Sequence, residues 1–316
     1  MTAQAVDRYP TRQGVALAPR ARHDPVVYPS PGGPLDPAQV RRYAADGFLL
    51  LDQLVDETTV AALGAEVDRL VGAPELADAE EVVREPDSDE VRSIFAVHRI
   101  SPLVATLVAS DTLAGVARQL LGSDVYVHQS RVNRKLGFAG REFAWHSDFE
   151  TWHAEDGMPA ARALSISLAL TPNFVHNGSL MLIPGSHRTF VPTGGATPAD
   201  HYRTSLRRQQ VGVPDRASLT ALVEQAGDIA LVTGGPGSAV VFDCNAMHGS
   251  SGNMTPFPRT NIFVVYNSVE NPLQDPFAAP EPRPAFVATR HVEPLVARQE
   301  ASGPPATGFE RGDVSR

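Results

Sequence analysis

The pattern of hydrophobic and polar positions predicts helices in the first third of the chain. A helix is expected to begin after Asp36, a favourable N-cap residue followed by Pro37, and to end at Gly47. A second helix is expected after Asp56, because four apolar residues there recur at helical spacing. Those residues are Val60, Leu63, Val67 and Leu70.

A short strand, a loop and a third helix are predicted around these two helices. The apolar run "FLLL" at 48–51 is typical of a short buried strand. Residues 72–92 are acidic and weakly patterned, which predicts a loop. Asp111 is the expected N-cap of the third helix, which is predicted to end at Gly122.

After Gly122 the pattern changes to short segments of β-branched and aromatic residues, separated by Gly, Pro and Asn. The predicted strands are 125–133, 163–170, 179–183, 238–243 and 261–266, with a long insertion at about 190–236. Helices followed by a run of strands predict an α+β fold. We expect a double-stranded β-helix core, the jelly-roll or cupin-like arrangement, with flanking N-terminal helices.

The two ends of the chain show no hydrophobic periodicity and contain many turn-forming residues. The sequence therefore predicts a flexible N-terminal arm at 1–35 and a flexible C-terminal tail at 292–316. One jelly-roll domain is expected between them, at 36–291.

Composition and charge narrow the classes of function. The net charge of −9 and the pI near 5.6 argue against a nucleic-acid-binding protein, which usually has a basic surface. No apolar run approaches the length of about 18 residues that marks a transmembrane helix, and no signal peptide is visible. The single cysteine, Cys244, excludes an intrachain disulfide. We therefore expect a reduced, cytoplasmic protein that binds neither nucleic acid nor membranes.

His146-Ser147-Asp148 is the strongest candidate for chemistry. Alternate residues of an extended segment project from one face, so an imidazole and a carboxylate can converge on one ion. His248, after the predicted strand 238–243, could supply a third ligand. Two His and one carboxylate form the facial triad of non-haem Fe(II) oxygenases, which leaves positions for a co-substrate and O2. A lone His-x-Asp is a weak signal, however, and zinc or plain hydrogen-bonded side chains are the alternatives.

Arg259 strengthens the oxygenase hypothesis. It lies eleven residues after His248, near the predicted strand 261–266. A turn between them is expected to bring this strand back beside strand 238–243, so that Arg259 points into the metal cavity. A guanidinium there could bind the distal carboxylate of 2-oxoglutarate through two hydrogen bonds. The alternative is an exposed arginine at a strand edge.

Two predicted strands have faces of unusual composition. Strict alternation in 125–133 gives one face that is either exposed to solvent, the commoner case, or lines a polar cavity. That face contains Val127, Gln129, Arg131 and Asn133. In 163–170 the large apolar residues alternate with Ala and Ser, which leaves room for a ligand or for close backbone packing.

Three segments carry a resemblance to a known family. They are "HQSRVNRKLGFAGREFAWHSDFETWHAEDGMP", "LTPNFVHNGSLMLIPGSH" and "FDCNAMHGSSGNMTPFPRTNIFVVYNSVEN". They resemble the ectoine hydroxylases, which belong to the phytanoyl-CoA dioxygenase-like branch of the Fe(II)/2-oxoglutarate oxygenases, and the resemblance covers roughly residues 36–290. It implies a jelly-roll core that uses Fe(II), 2-oxoglutarate and O2 to convert ectoine to 5-hydroxyectoine, with release of succinate and CO2. This would be compatible-solute synthesis, which protects against osmotic and heat stress.

The resemblance also implies roles for individual residues. The implied iron ligands, which are also the catalytic residues, are His146, Asp148 and His248. The implied 2-oxoglutarate-binding residues are Asn133, Lys135 and Arg259. The implied ectoine-binding residues are Gln129 and Trp152, with Phe95 and Ser165 as further wall residues. A Trp face suits the delocalised cationic amidine of ectoine through cation–π attraction.

Several alternatives stay open at this point. A related oxygenase could act on another small zwitterion such as proline, and a non-catalytic jelly-roll protein could hold a metal or a compatible solute. The family also suggests a homodimer. The sequence departs from the family pattern at Ala144 and Leu136. The aromatic residues Phe143, Trp145 and Phe149 are expected to pack the sheet, and no chemistry is assigned to Glu150, His153, Glu155 and Asp156.

Overall fold

Two antiparallel β-sheets face each other across the middle of the protein in a computed structural model that describes residues 6–14, 17–85 and 88–296. Within these residues the larger sheet has seven strands and the smaller has four. The larger sheet has the order β2 (Phe48–Leu51), β11 (Ala239–Asp243), β7 (Ala163–Ala169), β13 (Arg259–Ser268), β5 (Val125–Lys135), β4 (Val91–Phe95) and β3 (Val82–Arg84). The smaller has the order β10 (Ala230–Leu231), β8 (Leu180–Leu182), β12 (His248–Ser250) and β6 (Phe143–His146), and β1 (Arg20–Ala21) pairs separately with β9 (Thr189–Phe190).

Most of the helices lie before β5 in the chain, interspersed with the first strands of the larger sheet. They are α1 (Pro37–Asp46), α2 (Glu57–Val71), α3 (Val97–Ile100), α4 (Pro102–Ala109), α5 (Val116–Leu121), α6 (Asp148–Thr151), α7 (Tyr202–Ser205) and α8 (Arg216–Ala226). Two π-helical turns, Asp111–Gly115 and Trp152–Asp156, precede α5 and follow α6. Among the described residues, no helix combines the length and the apolar character needed to cross a lipid bilayer.

The first predicted helix is confirmed at both ends, and the second is confirmed at its start. Asp36 and Gln39 form a reciprocal capping box at the start of α1, and Gly47 ends it with a φ of 82°. The Asp56 side chain accepts a hydrogen bond of 2.7 Å from the backbone N–H of Thr59 at the start of α2. The third helix differs, because Ser110 rather than Asp111 precedes it and its first turn is π-helical.

The predicted loop at 72–92 is wrong in part, because it contains β3 and the start of β4. These strands form the edge of the larger sheet. Edge strands often carry charged residues, which prevent pairing with other chains and also hide the alternating pattern of a strand.

The main hydrophobic core lies between the helices and the outer face of the larger sheet. From β7 it contains Leu164, Ile166 and Leu168, so the small face of this strand points to the smaller sheet. A second cluster joins β8 of the smaller sheet to β11 and Phe263 of the larger one. The two sheets therefore form the jelly-roll that the sequence predicts.

Strand β5 departs from the strict alternation expected for it. Val265 of β13 pairs with Gln129 and Tyr266 pairs with Val127, so His128 is an extra residue in a β-bulge. Val127 and Val132 consequently both lie in the main core, while Gln129 faces the other way. The prediction that Val127 shares a face with Gln129 is therefore wrong.

Strand β13 begins at Arg259 but does not lie beside β11 as expected. It pairs with β5 and β7, and β7 separates it from β11. Arg259, the first residue of β13, nevertheless lines the cavity with the candidate metal ligands, because this end of the strand borders the space between the two sheets.

The described part of the N-terminal segment lies against the body of the protein, in contrast to the flexible arm expected there. Tyr9, Thr11 and Arg12 are buried, and β1 pairs with β9. At the other end Leu295 N donates a hydrogen bond to Val125 O, and 297–316 lie outside the described residues. The domain boundaries at 36 and 291 stay a prediction.

Candidate metal centre and substrate cavity

A cavity between the two sheets is lined by all but one of the site residues that the resemblance implied. Its lining includes the three candidate metal ligands His146, Asp148 and His248, and the five candidate binding residues Gln129, Asn133, Lys135, Trp152 and Arg259. Phe95 also lines it. Ser165 lies just behind, with its Oγ 3.4 Å from Asp148 Oδ2.

The three candidate metal ligands form a tight cluster. One ligand atom from each of His146, Asp148 and His248 lies within 4.8 Å of the other two. Asp148 Oδ1 is 3.5 Å from His146 Nε2 and 3.9 Å from His248 Nε2. Side chains so arranged can hold one ion between them.

Strand pairing positions the two histidines. His146 ends β6 and His248 begins β12, and the two residues are direct cross-strand partners. Each Nδ1 lies beside the carbonyl oxygen two residues earlier, 2.8 Å from Ala144 O and 3.0 Å from Ala246 O. A carbonyl oxygen only accepts, so each Nδ1 carries the proton and each Nε2 presents its lone pair to the cluster. The departure at Ala144 does not disturb this contact, because only its backbone takes part.

Asp148 is the first residue of helix α6, whereas the sequence suggested an extended segment through it. Ser147 keeps the extended conformation, with φ −103° and ψ 128°, and this brings the carboxylate back towards His146. Ser147 Oγ also caps α6 and donates to Asn245 Oδ1 at 3.0 Å.

The electrostatics of the cluster favour a bound cation. Burial alone would raise the pKa of Asp148, but His248, His146 and Arg131 hold it well below its usual range. Burial, together with His146, lowers the pKa of His248 to about 4. At neutral pH the cluster therefore presents a carboxylate and a neutral imidazole at His248, which are the forms that bind metals.

The larger sheet carries a pair of buried basic side chains that line the same cavity as the metal cluster. Arg259 and Lys135 are direct partners of β13 and β5, and both are buried. Arg259 Nη2 lies 3.4 Å from Asn133 Oδ1, but among the described residues its Nε and Nη1 have no hydrogen-bond partner. Lys135 Nζ donates to Ser250 Oγ at 2.8 Å and to the carbonyl oxygen of Ser251.

These cations are held in an environment that disfavours their charge. Burial, together with Arg259 and Arg92, lowers the pKa of Lys135 to about 6. Burial, together with Arg92 and Arg131, lowers the pKa of Arg259 to about 10. This end of the cavity is therefore suited to an anion.

Polar and aromatic side chains form the remaining wall. Gln129 Nε2 donates to Val287 O at 2.8 Å, and Arg131 Nη1 donates to Gln129 Oε1 at 2.7 Å. The Trp152 ring is buried and meets the His128 ring edge-on at 5.1 Å. The polar face of β5 therefore lines a cavity and is not exposed to solvent, so the second of the two interpretations open from the sequence is correct.

Sequence reasoning missed several cavity residues. They include Arg92, Arg131, Phe143, Ser205, Gln209, Phe263 and Arg283. Arg131 had a signal, since it follows Gln129 on the polar face of β5, and Phe143 was expected to pack the sheet but instead meets the His146 ring edge-on at 5.0 Å. Gln209 and Arg283 lie in segments without periodicity, so no local pattern could have placed them.

Comparison with known proteins gives the family. The family model described as phytanoyl-CoA dioxygenase (PhyH) matches residues 43–261. An ectoine dioxygenase of Nocardia farcinica is 53% identical over 290 residues, which cover 92% of this chain and 96% of that protein. An ectoine dioxygenase of Sphingopyxis alaskensis is 51% identical over 296 residues, which cover 93% of this chain and 96% of the relative.

Solved structures agree with this result. The chain resembles the crystal structure of EctD from S. alaskensis with 2-oxoglutarate and 5-hydroxyectoine, with a TM-score of 0.82 and 48% identity over 93% of this chain and 98% of that one. It is equally similar to the same protein with bound Fe, with a TM-score of 0.82 and 47% identity over 92% of this chain and 98% of that one. The chain belongs to the phytanoyl-CoA dioxygenase family, in which it groups with the ectoine dioxygenases.

Proposed function

We propose that this chain is an Fe(II)- and 2-oxoglutarate-dependent oxygenase that hydroxylates ectoine to 5-hydroxyectoine. The observation that carries the proposal is one cavity in which a His-Asp-His cluster lies opposite a buried arginine with unpaired N–H groups among the described residues. A metal cluster alone would suit many proteins, but the added cation calls for an anionic co-substrate. Ectoine as the substrate is supported by the EctD structure that holds 5-hydroxyectoine.

The donor set fits Fe(II). We assign His146, Asp148 and His248 as the ligands, because two Nε2 atoms with fixed tautomers and one carboxylate form a facial triad with open positions. Zinc could use the same three donors, but the similar EctD structure contains Fe, and zinc would give no role to the cations on β5 and β13.

The guanidinium of Arg259, whose Nε and Nη1 have no partner among the described residues, fits 2-oxoglutarate. We assign Arg259 to its distal carboxylate, because an unpaired buried N–H group costs free energy that a carboxylate oxygen would recover. Asn133 orients the guanidinium through the contact at Nη2. Lys135 adds a second cation, which a bound dianion would return to its charged form.

The rest of the cavity lining fits a small zwitterion. We assign Trp152 to the face of the ectoine ring, where its π-system attracts the delocalised amidinium. Gln129 is fixed by Val287 and Arg131, so its amide is held ready as a directed polar contact. Phe95 lies along the same wall and Ser165 steadies the Asp148 carboxylate.

Bound Fe(II), with 2-oxoglutarate and O2, supplies the oxidising power by which one oxygen atom enters a C–H bond of ectoine while the other enters succinate and CO2 is released. The protein positions both organic molecules and excludes water. Phe95, Phe143 and Phe263 contribute apolar surface to the cavity lining, which strengthens the charge interactions beside them. Arg131, whose guanidinium lies 4.8 Å over the Phe263 ring, is held against this wall.

Succinate formation tests the proposal. Protein with Fe(II) and 2-oxoglutarate is expected to form succinate and consume O2 when ectoine is present, and much less with proline or a proline betaine. Faster turnover with proline would instead support the related oxygenase, and no O2 consumption with any compound would support a non-catalytic binding protein.

We also propose that the enzyme is cytoplasmic and forms a homodimer. The buried single cysteine, Cys244, supports a reduced compartment. Phe138, Met254 and Phe257 are exposed on neighbouring loops, as expected of a surface that another copy covers. Light scattering on the purified protein measures the mass, and a monomer at all concentrations would contradict the dimer.

A further inference from the structure

The helical segment 148–156 carries two functional residues on one side and four buried ionisable residues elsewhere. Asp148 and Trp152 face the cavity. The other four are Glu150, His153, Glu155 and Asp156, and each is at most 1% exposed. Buried ionisable groups destabilise a fold unless they are paired, and the proposed reaction uses none of these four.

The N-terminal arm pairs two of them through one residue. Arg12 forms a two-pronged ion pair with Glu150, with Nε–Oε1 at 3.0 Å and Nη2–Oε2 at 2.7 Å. Its Nη1 donates to Glu155 Oε1 at 2.5 Å. All three side chains are at most 2% exposed, so water screens the contacts little. The Arg12 guanidinium therefore contacts the segment at two points, one two residues after Asp148 and the other three residues after Trp152.

The backbone at Arg12 is itself in an uncommon conformation. Its φ is 54°, in the left-handed region that non-glycine residues rarely adopt. It is fixed by a backbone hydrogen bond of 2.9 Å to Thr193 O, while Thr11 Oγ1 donates to Glu150 Oε1 at 2.7 Å. A strained conformation that several contacts maintain is often linked to function.

Arg12 also joins this segment to the long insertion at 190–236, which contains the cavity residue Gln209. Its Nη1 donates to Thr197 Oγ1 at 3.0 Å, and His201 Nδ1 lies 2.9 Å from Glu155 Oε1. Further along the chain Gln209, a cavity residue, donates to Thr151 Oγ1 at 3.1 Å. Gly212 touches the same ion pair, since a Cβ there would lie 2.7 Å from Arg12 Nη2 and 2.8 Å from Glu150 Oε2.

We propose that Arg12 is a positioning residue for the active site. By locking Glu150 and Glu155 it fixes the rotation of the 148–156 segment, and with it the Asp148 carboxylate and the Trp152 ring. The binding sites for 2-oxoglutarate lie on β5 and β13, which Arg12 does not touch. The inference rests on the proposed function for the identity of the metal and substrate, and on geometry for everything else.

Arg12→Lys tests this role, because lysine keeps the charge but cannot contact both glutamates with a planar guanidinium. The matched control is Arg22→Lys, since Arg22 is an equally buried arginine of the same arm whose partner, Asp243 at 2.7 Å, lies outside 148–156. For Arg12→Lys we expect the KM for ectoine to rise about tenfold or more and Fe(II) binding to weaken, while the KM for 2-oxoglutarate changes less than about twofold. Arg22→Lys is expected to lower the melting temperature and leave both KM values unchanged.

Hydrogen exchange supplies a measurement that does not depend on activity. Backbone amides of 148–156 should exchange faster in Arg12→Lys than in the unchanged protein or in Arg22→Lys, with or without metal. If Arg12→Lys does not fold, Gly212→Ala presses on the same ion pair with every charge kept, and the same shifts are expected.

Two results would overturn the proposal. One is unchanged exchange of 148–156 and an unchanged ectoine KM in the Arg12 variant. The other is an equal fall in kcat with both KM values unaltered, which a general loss of folded protein would produce. If the unchanged protein did not act on ectoine, the proposed function would fail, while hydrogen exchange and metal affinity would still test the role of Arg12.

Discussion

His146 and His248 face each other directly across the antiparallel pair β6–β12, with ring centroids 4.1 Å apart and each Nδ1 donating to the carbonyl oxygen two residues earlier. The same local contact thus fixes both tautomers before any metal binds. Asp148 closes the triangle from the start of α6. The protein therefore holds a preformed candidate metal site, which keeps the reorganisation needed on binding small.

Asp148→Ala should abolish catalysis by removing the carboxylate ligand. We expect weaker Fe(II) binding and a fall in kcat/KM of at least about 100-fold, because even partners that only orient a ligand contribute about 10–100-fold. Iron content and succinate formation measure the two effects. Glu224→Ala, on the exposed face of α8, is the control. Full activity with normal iron content in the Asp148 variant would show that this residue is not a ligand.

Arg259→Met should separate stability from activity. The KM for 2-oxoglutarate is expected to rise about 100-fold, because a buried charge-assisted pair is lost. The melting temperature of the ligand-free protein should hold or rise, because the substitution removes a buried cation whose Nε and Nη1 have no partner among the described residues. Arg134→Met, on the same strand pair but outside the cavity lining, is the control and should leave the KM unchanged. An unaltered KM in Arg259→Met would contradict the carboxylate assignment.

Lys135 should make 2-oxoglutarate binding depend on pH. Burial, Arg259 and Arg92 lower its pKa to about 6, and a bound carboxylate raises it again. Binding therefore takes up a proton above pH 6, and the affinity falls as pH rises, by at most about tenfold per pH unit. Calorimetry in buffers of different ionisation enthalpy measures the uptake, which Lys135→Met should abolish.

The same lysine affects the stability of the ligand-free protein. Between the folded pKa of about 6 and the ordinary value of 10.5, the unfolded lysine binds a proton that the folded one lacks. The contribution of Lys135 to stability therefore increases as pH rises across this window.

A pH-independent 2-oxoglutarate affinity, with no proton uptake, would show that Lys135 stays charged in the free protein.

Trp152→Leu should weaken ectoine binding and little else. The loss of cation–π attraction, about 0.5–2 kcal/mol, corresponds to a rise in the ectoine KM of roughly 2–30-fold. Trp152→Phe keeps an aromatic face, so its effect should be smaller. The KM for 2-oxoglutarate is the internal control, since its proposed binding residues lie on β5 and β13 and not on the helical segment that contains Trp152. Equal effects on both KM values would argue for a packing role of Trp152.

The sequence predicted well those features that depend on neighbouring residues. The caps at Asp36 and Asp56 are local signals, and the structure has them. His146 and Asp148 are close in the chain, so their convergence follows from the backbone of one residue between them. His248 and Arg259 were found because each adjoins a strongly apolar strand.

Features that depend on distant partners could not be predicted. The bulge at His128 shows in the pairing with β13 and leaves no mark in the alternation of β5. Arg12 is buried because it pairs with two buried glutamates that lie more than a hundred residues further along the chain. This pairing holds a segment without hydrophobic periodicity against the rest of the domain. Arg283 likewise reaches the cavity wall while donating to Asp156 at 2.7 and 2.6 Å.

Mass spectrometry of ectoine after incubation with the protein, Fe(II), ascorbate, 2-oxoglutarate and 18O2 tests the central claim most directly. The proposed function predicts a product heavier by one 18O atom, with one succinate formed for each product molecule, and neither product in the Asp148→Ala variant. Ectoine of unchanged mass after incubation with iron-loaded protein, or succinate formed at the same rate without ectoine, would contradict it.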